Sequence, residues 1–202
     1  MSTIPVKIGI AGLGNVGEEV ARQILNGFRT KDEIYPLKLV GISFKSLSKK
    51  RNLDLSGIKF YENAVSIAKD KEIDLVIELI GGETGISKEL CETTLRNRKG
   101  LITANKALIA NSGHILADMA EKNNLFFAFE ASVAGGIPIL KIVRESLAAN
   151  KINRMAGILN GTANYILSEM ENTKGDFNII LKDAQDKGFA EQDPSFDIDG
   201  ID

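Results

Sequence analysis

Cysteine, histidine and tryptophan are almost absent from this sequence. Its 202 residues include one cysteine, Cys91, one histidine, His114, and no tryptophan. A single cysteine excludes a disulfide within the chain, and one cysteine with one histidine cannot form a zinc site built from these residue types. Scarce cysteine is typical of a reducing compartment, so we expect a cytoplasmic protein.

An excess of charge of one sign and long apolar runs are missing as well. Lysine and arginine number 25 against 27 aspartates and glutamates, which gives a net charge of −2. Without a basic surplus, we expect neither nucleic acid nor a membrane surface as a partner. No apolar run approaches the ~20 residues of a membrane-spanning helix. Residues 1–5 (MSTIP) are too short and polar for a signal peptide.

Glycine, by contrast, is concentrated in a motif near the start of the chain. The apolar run Val6–Ile10 predicts a strand and Glu18–Leu25 predicts a helix, with Gly12, Gly14 and Gly17 between them in G-x-G-x-x-G spacing. The first glycine permits a sharp turn, the second leaves room for a pyrophosphate, and the third lets the helix and strand pack closely. The helix N-terminus attracts phosphate. The motif therefore predicts a dinucleotide cofactor.

Strand and helix patterns alternate up to about residue 130. Further strands are predicted over 37–42, 58–61, 73–80, 101–103 and 125–129, with helices over 64–71 and 87–98 and after residue 105. This order is typical of an α/β fold with a doubly wound, mostly parallel sheet, which binds ligands at the carboxyl ends of its strands. We predict a Rossmann-type NAD(P)-binding domain over residues 1–130.

The residues after the second predicted strand bear on the choice of cofactor. Asp32 and Glu33 lie at a suitable distance from the glycines, but they precede the strand and so cannot bind the ribose from its carboxyl end. The strand leads instead into 43–46 (SFKS) and 49–51 (KKR). Cations there would suit a 2′-phosphate, which favours NADP over NAD. The alternative is that these residues form a solvated basic loop.

Two charged residues at predicted strand ends have open roles. Glu78 interrupts the apolar run 73–80, and a buried charge is costly unless it is paired; it lies near the cofactor or finds a donor within the fold. Lys106 opens the helix after the strand 101–103. It contacts cofactor or substrate, or it is a surface lysine.

The sequence pattern changes after residue 130. The bend Glu130–Pro138 combines a carboxylate with small residues, and it either directs carbonyls at a cation or is a tight crossover. A strand is predicted over 151–159 as the start of a second sheet, followed by helices over 163–170 and 177–187. The acidic segment 189–202 is a solvated tail or a loop that gathers carboxylates around a cationic group.

Six motifs follow one another in the order of a known family. They are 9–17, 80–82, 102–108, 130–138, 157–166 and 184–202, of which Gly-Ile-Leu-Asn-Gly-Thr (157–162) and Gly-Phe-Ala-Glu-x-Asp-Pro (188–194) are the most specific. With these motifs the chain resembles homoserine dehydrogenase over nearly its whole length. The resemblance implies NAD(P)-dependent interconversion of L-homoserine and L-aspartate 4-semialdehyde, a small-molecule substrate, in threonine and methionine biosynthesis. It also implies a homodimer for the full-length protein and a second, partial α+β domain for substrate binding, catalysis and dimerisation over residues 131–202.

The resemblance further implies a set of site residues. Those that bind the cofactor would be Gly12, Leu13, Gly14, Asn15, Val16, Thr103, Lys106 and Gly188. Glu191 and Asp202 match the substrate-binding acids, whose charge suits the substrate's ammonium group. Glu130, Val133, Gly135 and Ile137 match a site for a monovalent cation, Na⁺ or K⁺, built from one carboxylate and backbone carbonyls.

The family's general acid/base lysine follows the acid that aligns with Asp202 by one helical turn, and this sequence ends at Asp202. Because general acid–base catalysis typically contributes about 10²–10⁴-fold, we expect slow turnover from the chain as it stands, with Lys106 the candidate catalytic residue. Two other interpretations remain. One is a related amino-acid dehydrogenase, such as an aspartate or semialdehyde dehydrogenase. Semialdehyde dehydrogenases that use thioester chemistry need an active-site cysteine, and Cys91 has no histidine nearby in the sequence. The other is a dinucleotide-binding fragment without turnover.

Overall fold

The computed structural model describes residues 4–27, 36–46, 50–157, 160–190 and 194–199. The chain divides into two compact units, Met1–Ala148 and Ala149–Asp202. The domain boundary predicted at residue 130 lies inside the first unit and stays a prediction. No helix in the described ranges is long and apolar enough to cross a membrane.

The first unit is built on one parallel sheet of six strands. These are β1 (Val6–Ala11), β2 (Leu37–Ser43), β3 (Lys59–Phe60), β4 (Leu75–Glu78), β5 (Gly100–Thr103) and β6 (Phe127–Ala128). Their order is β3-β2-β1-β4-β5-β6, and every neighbouring pair is parallel. The predicted doubly wound α/β fold is therefore confirmed. Strand order reverses between β1 and β4, where such sheets bind dinucleotides.

Helices cover both faces of this sheet. The first unit contains α1 (Asn15–Leu25), α2 (Val65–Lys69), α3 (Ile86–Arg96), α4 (Lys106–Lys122) and the short α5 (Ile139–Lys141), which continues as a π-helical turn over Ile142–Ser146. A single 3₁₀ turn, Glu130–Ser132, follows β6. The segment that follows Pro138 is thus only partly α-helical.

The central strand β1 is buried on both faces. Ile8 and Ile10 belong to the same apolar cluster as Ala21 of α1. On the other face Gly9 makes room for Ile67 of α2, because a Cβ at Gly9 would lie 2.4 Å from the Ile67 Cγ2. Burying an isoleucine side chain is worth about 1.5–3 kcal/mol. Packing against α1 on one face and α2 on the other therefore fixes the carboxyl end of β1, where the glycine turn begins.

The second unit is helical in its described part. It contains α6 (Gly161–Thr173), α7 (Phe177–Asp186) and the short α8 (Ser195–Ile198), and its small core includes Ile166, Ile180 and Ala184. The strand predicted over 151–159 is wrong for residues 151–157, which form no strand; residues 158 and 159 lie outside the described ranges. A strand needs a neighbour to accept its hydrogen bonds, and no other described residue of this unit forms one.

Candidate functional site

The glycine motif forms a tight turn between β1 and α1. Gly12 has φ +99°, and a Cβ there would lie 2.4 Å from the carbonyl oxygen of Leu79. A Cβ on Gly17 would lie 1.9 Å from the carbonyl oxygen of Gly12, so both positions require glycine. A Cβ on Gly14 would meet no protein atom within 4 Å. The space that Gly14 leaves open lies at the N-terminus of α1, where a phosphate binds favourably.

A cleft of about 310 Å³ opens in front of this turn. It is lined by residues 12–14, by 43–46 at the end of β2, by Arg51 and Glu62, and by 79–80 after β4, among others. Its walls thus come from the carboxyl ends of β1, β2 and β4. That is the crevice in which a doubly wound sheet holds a dinucleotide, and an open cradle at Gly14 fits the pyrophosphate.

Of the other predicted cofactor residues near the turn, Leu13 is buried, whereas Asn15 and Val16 are exposed in the first turn of α1. The backbone N–H groups of a helix's first turn point out of its N-terminus. These residues are therefore placed to present main-chain donors, with their side chains of secondary importance. Their assignment to cofactor binding stays a prediction.

Arg51 connects the basic loop to the glycine turn. Its guanidinium carbon lies 3.9 Å from the centre of the Phe44 ring. Its Nε donates to the carbonyl oxygen of Leu13 at 3.3 Å, and its Nη1 donates to that of Ser46 at 2.9 Å. The side chain is thus held at the cleft wall. Sequence reasoning named Arg51 only as one of several cations, because nothing in the sequence pairs it with Leu13, 38 residues away.

The cleft wall near β2 carries more positive than negative charge. Lys45 and Arg51 line it, and Glu62 is an acidic residue on the same wall. The backbone N–H of Gly12 donates to the carbonyl oxygen of the buried Ser43 at 2.8 Å, which joins the end of β2 to the glycine turn. Lys49 lies outside the described residues. Two of the cations that were predicted to meet a 2′-phosphate, Lys45 and Arg51, therefore line the cleft.

At the ends of β4 and β5, hydrogen bonds link two buried side chains. Glu78 and Thr103 are paired across the strands, and each is 0% exposed. The Thr103 hydroxyl donates to the Glu78 Oε2 at 2.5 Å. The backbone N–H groups of Ile80 and Gly81 donate to the Glu78 Oε1 at 2.8 and 3.1 Å. Glu78 thus finds its donors within the fold, and it shapes the loop that follows β4.

Asn105 extends this hydrogen-bonded network to the helices. Its backbone N–H donates to the Thr103 hydroxyl oxygen at 3.0 Å. Its side-chain amide donates to the Gly82 carbonyl at 2.6 Å and to the Ser87 hydroxyl at 2.9 Å, and its Oδ1 accepts from the N–H of Leu108. Asn105 therefore caps α4 and ties both loops together. An asparagine directly before a helix was the sequence signal that could have predicted this cap.

Lys106 is the first residue of α4 and is exposed. It directly follows the Asn105 cap, so its backbone position is fixed by the network. Thr103, three residues earlier, has its hydroxyl committed to Glu78 and Asn105. The structure thus places both predicted residues at the carboxyl end of β5, with Lys106 accessible to a ligand.

Cys91 lies in α3 and is completely buried. Burial raises the pKa of the Cys91 thiol far above its usual range, and the negative charge of nearby Glu78 adds to the effect. The nucleophile in thioester chemistry is the thiolate. A buried, protonated thiol argues against a dehydrogenase that uses Cys91 in a covalent intermediate.

The predicted cation residues lie between β6 and α5. Both carboxylate oxygens of Glu130 accept backbone N–H groups, from Leu140 at 3.1 Å and from Lys141 at 3.0 Å. The carbonyl of Ile137 accepts from the N–H of Ile139. Val133 and Gly135 lie in the turn between them. Carboxylate and carbonyl oxygens are ligands that suit Na⁺ or K⁺. Both oxygens of Glu130 already accept hydrogen bonds from the first turn of α5. The described residues contain no group of three or more acidic, histidine or cysteine ligands.

In the second unit, Gly188 lies in the turn after α7 with φ +77°. The Thr162 hydroxyl donates to the carbonyl oxygen of Phe189 at 2.6 Å, and the Tyr165 and Phe189 rings lie 4.9 Å apart. Helix α6 therefore holds the start of the loop that leads to the predicted substrate acids. Those acids, Glu191 and Asp202, lie outside the described residues.

Comparison with known proteins identifies the family. The model of the homoserine dehydrogenase NAD-binding domain matches residues 12–130, and the homoserine dehydrogenase model matches residues 138–202. The chain belongs to the homoserine dehydrogenase family. The homoserine dehydrogenase of Neisseria gonorrhoeae is 42% identical over 98% of this chain, which spans 46% of that protein.

Solved structures of homoserine dehydrogenases agree with this assignment. The enzyme from Thiobacillus denitrificans has a TM-score of 0.85 at 40% identity, covering 98% of this chain and 46% of its own. A hyperthermophilic archaeal homoserine dehydrogenase in complex with NADPH has a TM-score of 0.81 at 25% identity, covering 98% of this chain and 66% of its own. The chain spans about half the length of the curated relatives it matches.

Proposed function

We propose that this chain binds NADP(H) in the cleft in front of the glycine turn and serves the interconversion of L-homoserine and L-aspartate 4-semialdehyde. The observation that carries the proposal is the cleft itself. It joins the open cradle at Gly14 to a wall formed by Ser43, Lys45 and Arg51 at the end of β2. A relative of the same fold was solved in complex with NADPH.

Each part of the cleft has a proposed task. Residues 12–16 hold the pyrophosphate through backbone N–H groups, and Lys45 and Arg51 bind the 2′-phosphate. A guanidinium suits this task because its fork of donors matches phosphate oxygens. Glu62 lies on the same wall and disfavours anions there. The two cations outnumber it, so we expect a net preference for the phosphorylated cofactor.

The family resemblance assigns further residues to the nicotinamide and to the substrate. NADP(H), when bound, would supply or accept the hydride. Thr103 and the accessible Lys106 line the position of the nicotinamide and substrate, and Gly188 approaches the cofactor. Glu191 and Asp202 bind the substrate's ammonium group. The product would feed threonine and methionine biosynthesis, as the family resemblance implies.

A monovalent cation is proposed at Glu130 and the carbonyls of Val133, Gly135 and Ile137. It would brace the segment between the sheet and the second unit rather than take part in chemistry. The capping bonds from Leu140 and Lys141 use one acceptor site on each Glu130 oxygen, and a carboxylate oxygen has a second lone pair available for a cation.

A second candidate function is dinucleotide binding without turnover. The observation that favours it is that the described lining of the cleft comes entirely from the first unit, so a dinucleotide can bind there without the residues proposed for the substrate. A steady-state assay decides between the two: purified chain is mixed with L-homoserine and NADP⁺, and the absorbance of the reduced nicotinamide is followed. Homoserine-dependent reduction supports the enzyme. Cofactor binding without reduction supports the binding fragment, and absence of both rejects the proposal.

A further inference from the structure

Glu78 is a buried charged residue to which the proposed function gives no task. It is 0% exposed at the last position of β4. It receives three hydrogen bonds from described residues, namely from the N–H groups of Ile80 and Gly81 and from the Thr103 hydroxyl. No lysine, arginine or histidine forms an ion pair with it among the described residues.

Every described hydrogen bond to the Glu78 carboxylate is one that it accepts. Its Oε1 accepts from the N–H groups of Ile80 and Gly81, and its Oε2 accepts from the Thr103 hydroxyl. A carboxylate that receives all of its hydrogen bonds is the acceptor-only, charged form. Its partners are neutral, so a full negative charge remains beneath the loop after β4.

This charge lies at the nicotinamide end of the proposed binding site. A dinucleotide spans the point where strand order reverses, and the cleft at β1 and β2 would take its adenosine half. The nicotinamide half then lies over the ends of β4 and β5. Glu78 is directly under that surface, because its carboxylate is bonded to the backbone of Ile80 and Gly81. The inference therefore rests on the proposed function.

We propose that Glu78 sets the balance between the two oxidation states of the bound cofactor. The oxidised nicotinamide ring carries a positive charge and the reduced ring carries none, so a nearby buried carboxylate favours NADP⁺ over NADPH. For opposite unit charges at an effective dielectric constant of about 20, a separation of about 10 Å corresponds to about a tenfold effect on the ratio of the two dissociation constants, and this sets the scale of the effect that we expect. Exposed Lys106 has the opposite sign, but solvent screens it more strongly.

The test is a pair of titrations on the full chain and its variants. NADPH binding is followed by nicotinamide fluorescence, and NADP⁺ binding by displacement of NADPH. Glu78→Gln keeps an oxygen for the N–H groups of Ile80 and Gly81 and removes the charge. Glu72→Gln is the matched control, since Glu72 is an exposed acid whose salt bridge with Lys7 lies near the amino end of β1. Glu78→Asp keeps the charge on a shorter side chain.

The expected result is that Glu78→Gln raises the ratio of the NADP⁺ to the NADPH dissociation constant about tenfold. Glu72→Gln and Glu78→Asp should leave it within about twofold of the wild-type ratio. Equal weakening of both forms in Glu78→Gln would show that Glu78 only shapes the loop, and would overturn the inference. If Glu78→Gln does not fold, the matched pair Glu78→Asn and Glu78→Asp decides. A ratio about tenfold higher in Glu78→Asn than in Glu78→Asp supports the role of charge, and equal ratios in the two variants overturn it.

Failure of the proposed function gives a different result. If the wild-type chain binds neither NADP⁺ nor NADPH, the proposed function fails and this inference fails with it. If the wild-type chain binds both and the ratio is insensitive to Glu78→Gln, cofactor binding stands and only the role of Glu78 is rejected.

Discussion

Replacing Arg51 by glutamine tests whether the basic wall of the cleft recognises a 2′-phosphate. Arg51 is held in place by the Phe44 ring and by the carbonyl oxygens of Leu13 and Ser46. This anchoring fixes the direction of the guanidinium fork before a ligand arrives. Less conformational entropy is therefore lost on binding than for a mobile lysine.

The size of the effect follows from the type of hydrogen bond that the substitution removes. A hydrogen bond to a charged group contributes about 1.5–3 kcal/mol, so Arg51→Gln should weaken NADPH binding by about 10–100-fold. NADH lacks the 2′-phosphate, so its dissociation constant should change by less than about threefold. Arg51→Lys keeps the charge but loses the guanidinium fork. Its dissociation constant for NADPH should therefore lie between those of the wild type and Arg51→Gln.

The assay is fluorescence titration with NADPH and NADH under identical salt, because phosphate interactions are screened by ions. Lys50→Gln is the matched control: it removes the same formal charge from an exposed neighbour that does not line the cleft. Equal weakening of NADPH and NADH in Arg51→Gln would show that Arg51 only shapes the cleft wall. Equal effects of Lys50→Gln and Arg51→Gln would show that the basic loop is merely solvated.

Three further predictions address the turn, the thiol and the segment after β6. Gly14→Val should weaken the binding of both NADPH and NADH without lowering Tm. Gly12→Ala should lower Tm, because its Cβ would lie 2.4 Å from the Leu79 carbonyl oxygen; the reverse pattern contradicts the proposed phosphate cradle at Gly14. Because burial raises the pKa of Cys91, raising the pH from 7 to 9 should leave native Cys91 unreactive toward a thiol reagent until the chain unfolds; rapid labelling refutes this. Glu130→Ala should lower the free energy of unfolding by about 1 kcal/mol in a denaturant titration, since the helix cap is removed; unchanged stability contradicts it.

The parallel sheet and the glycine turn could be predicted because their signals are local. The run Val6–Ile10 and the three glycine positions lie within a dozen residues, and Gly12 and Gly17 each have a specific steric reason. The strand predicted over 151–159 depended on a partner strand instead. Apolar character alone does not supply hydrogen-bonding neighbours, and residues 151–157 form no strand.

The hydrogen bonds that build the candidate site join residues distant in sequence and could not be predicted. Arg51 reaches Leu13 across 38 residues, and Thr103 reaches Glu78 across 25. Which residues meet depends on the register of β4 against β5 and on the path of the loop after β2. Sequence patterns placed Glu78 at a strand end but left its partner open.

Cofactor binding at the glycine turn is the central claim, and a single titration tests it. Titration of the wild-type chain with NADPH, followed by nicotinamide fluorescence, should give one site per chain with tighter binding than NADH, and Gly14→Val should weaken NADPH binding. A wild-type chain that binds neither cofactor, or one whose NADPH binding is unaffected by Gly14→Val, would contradict the claim.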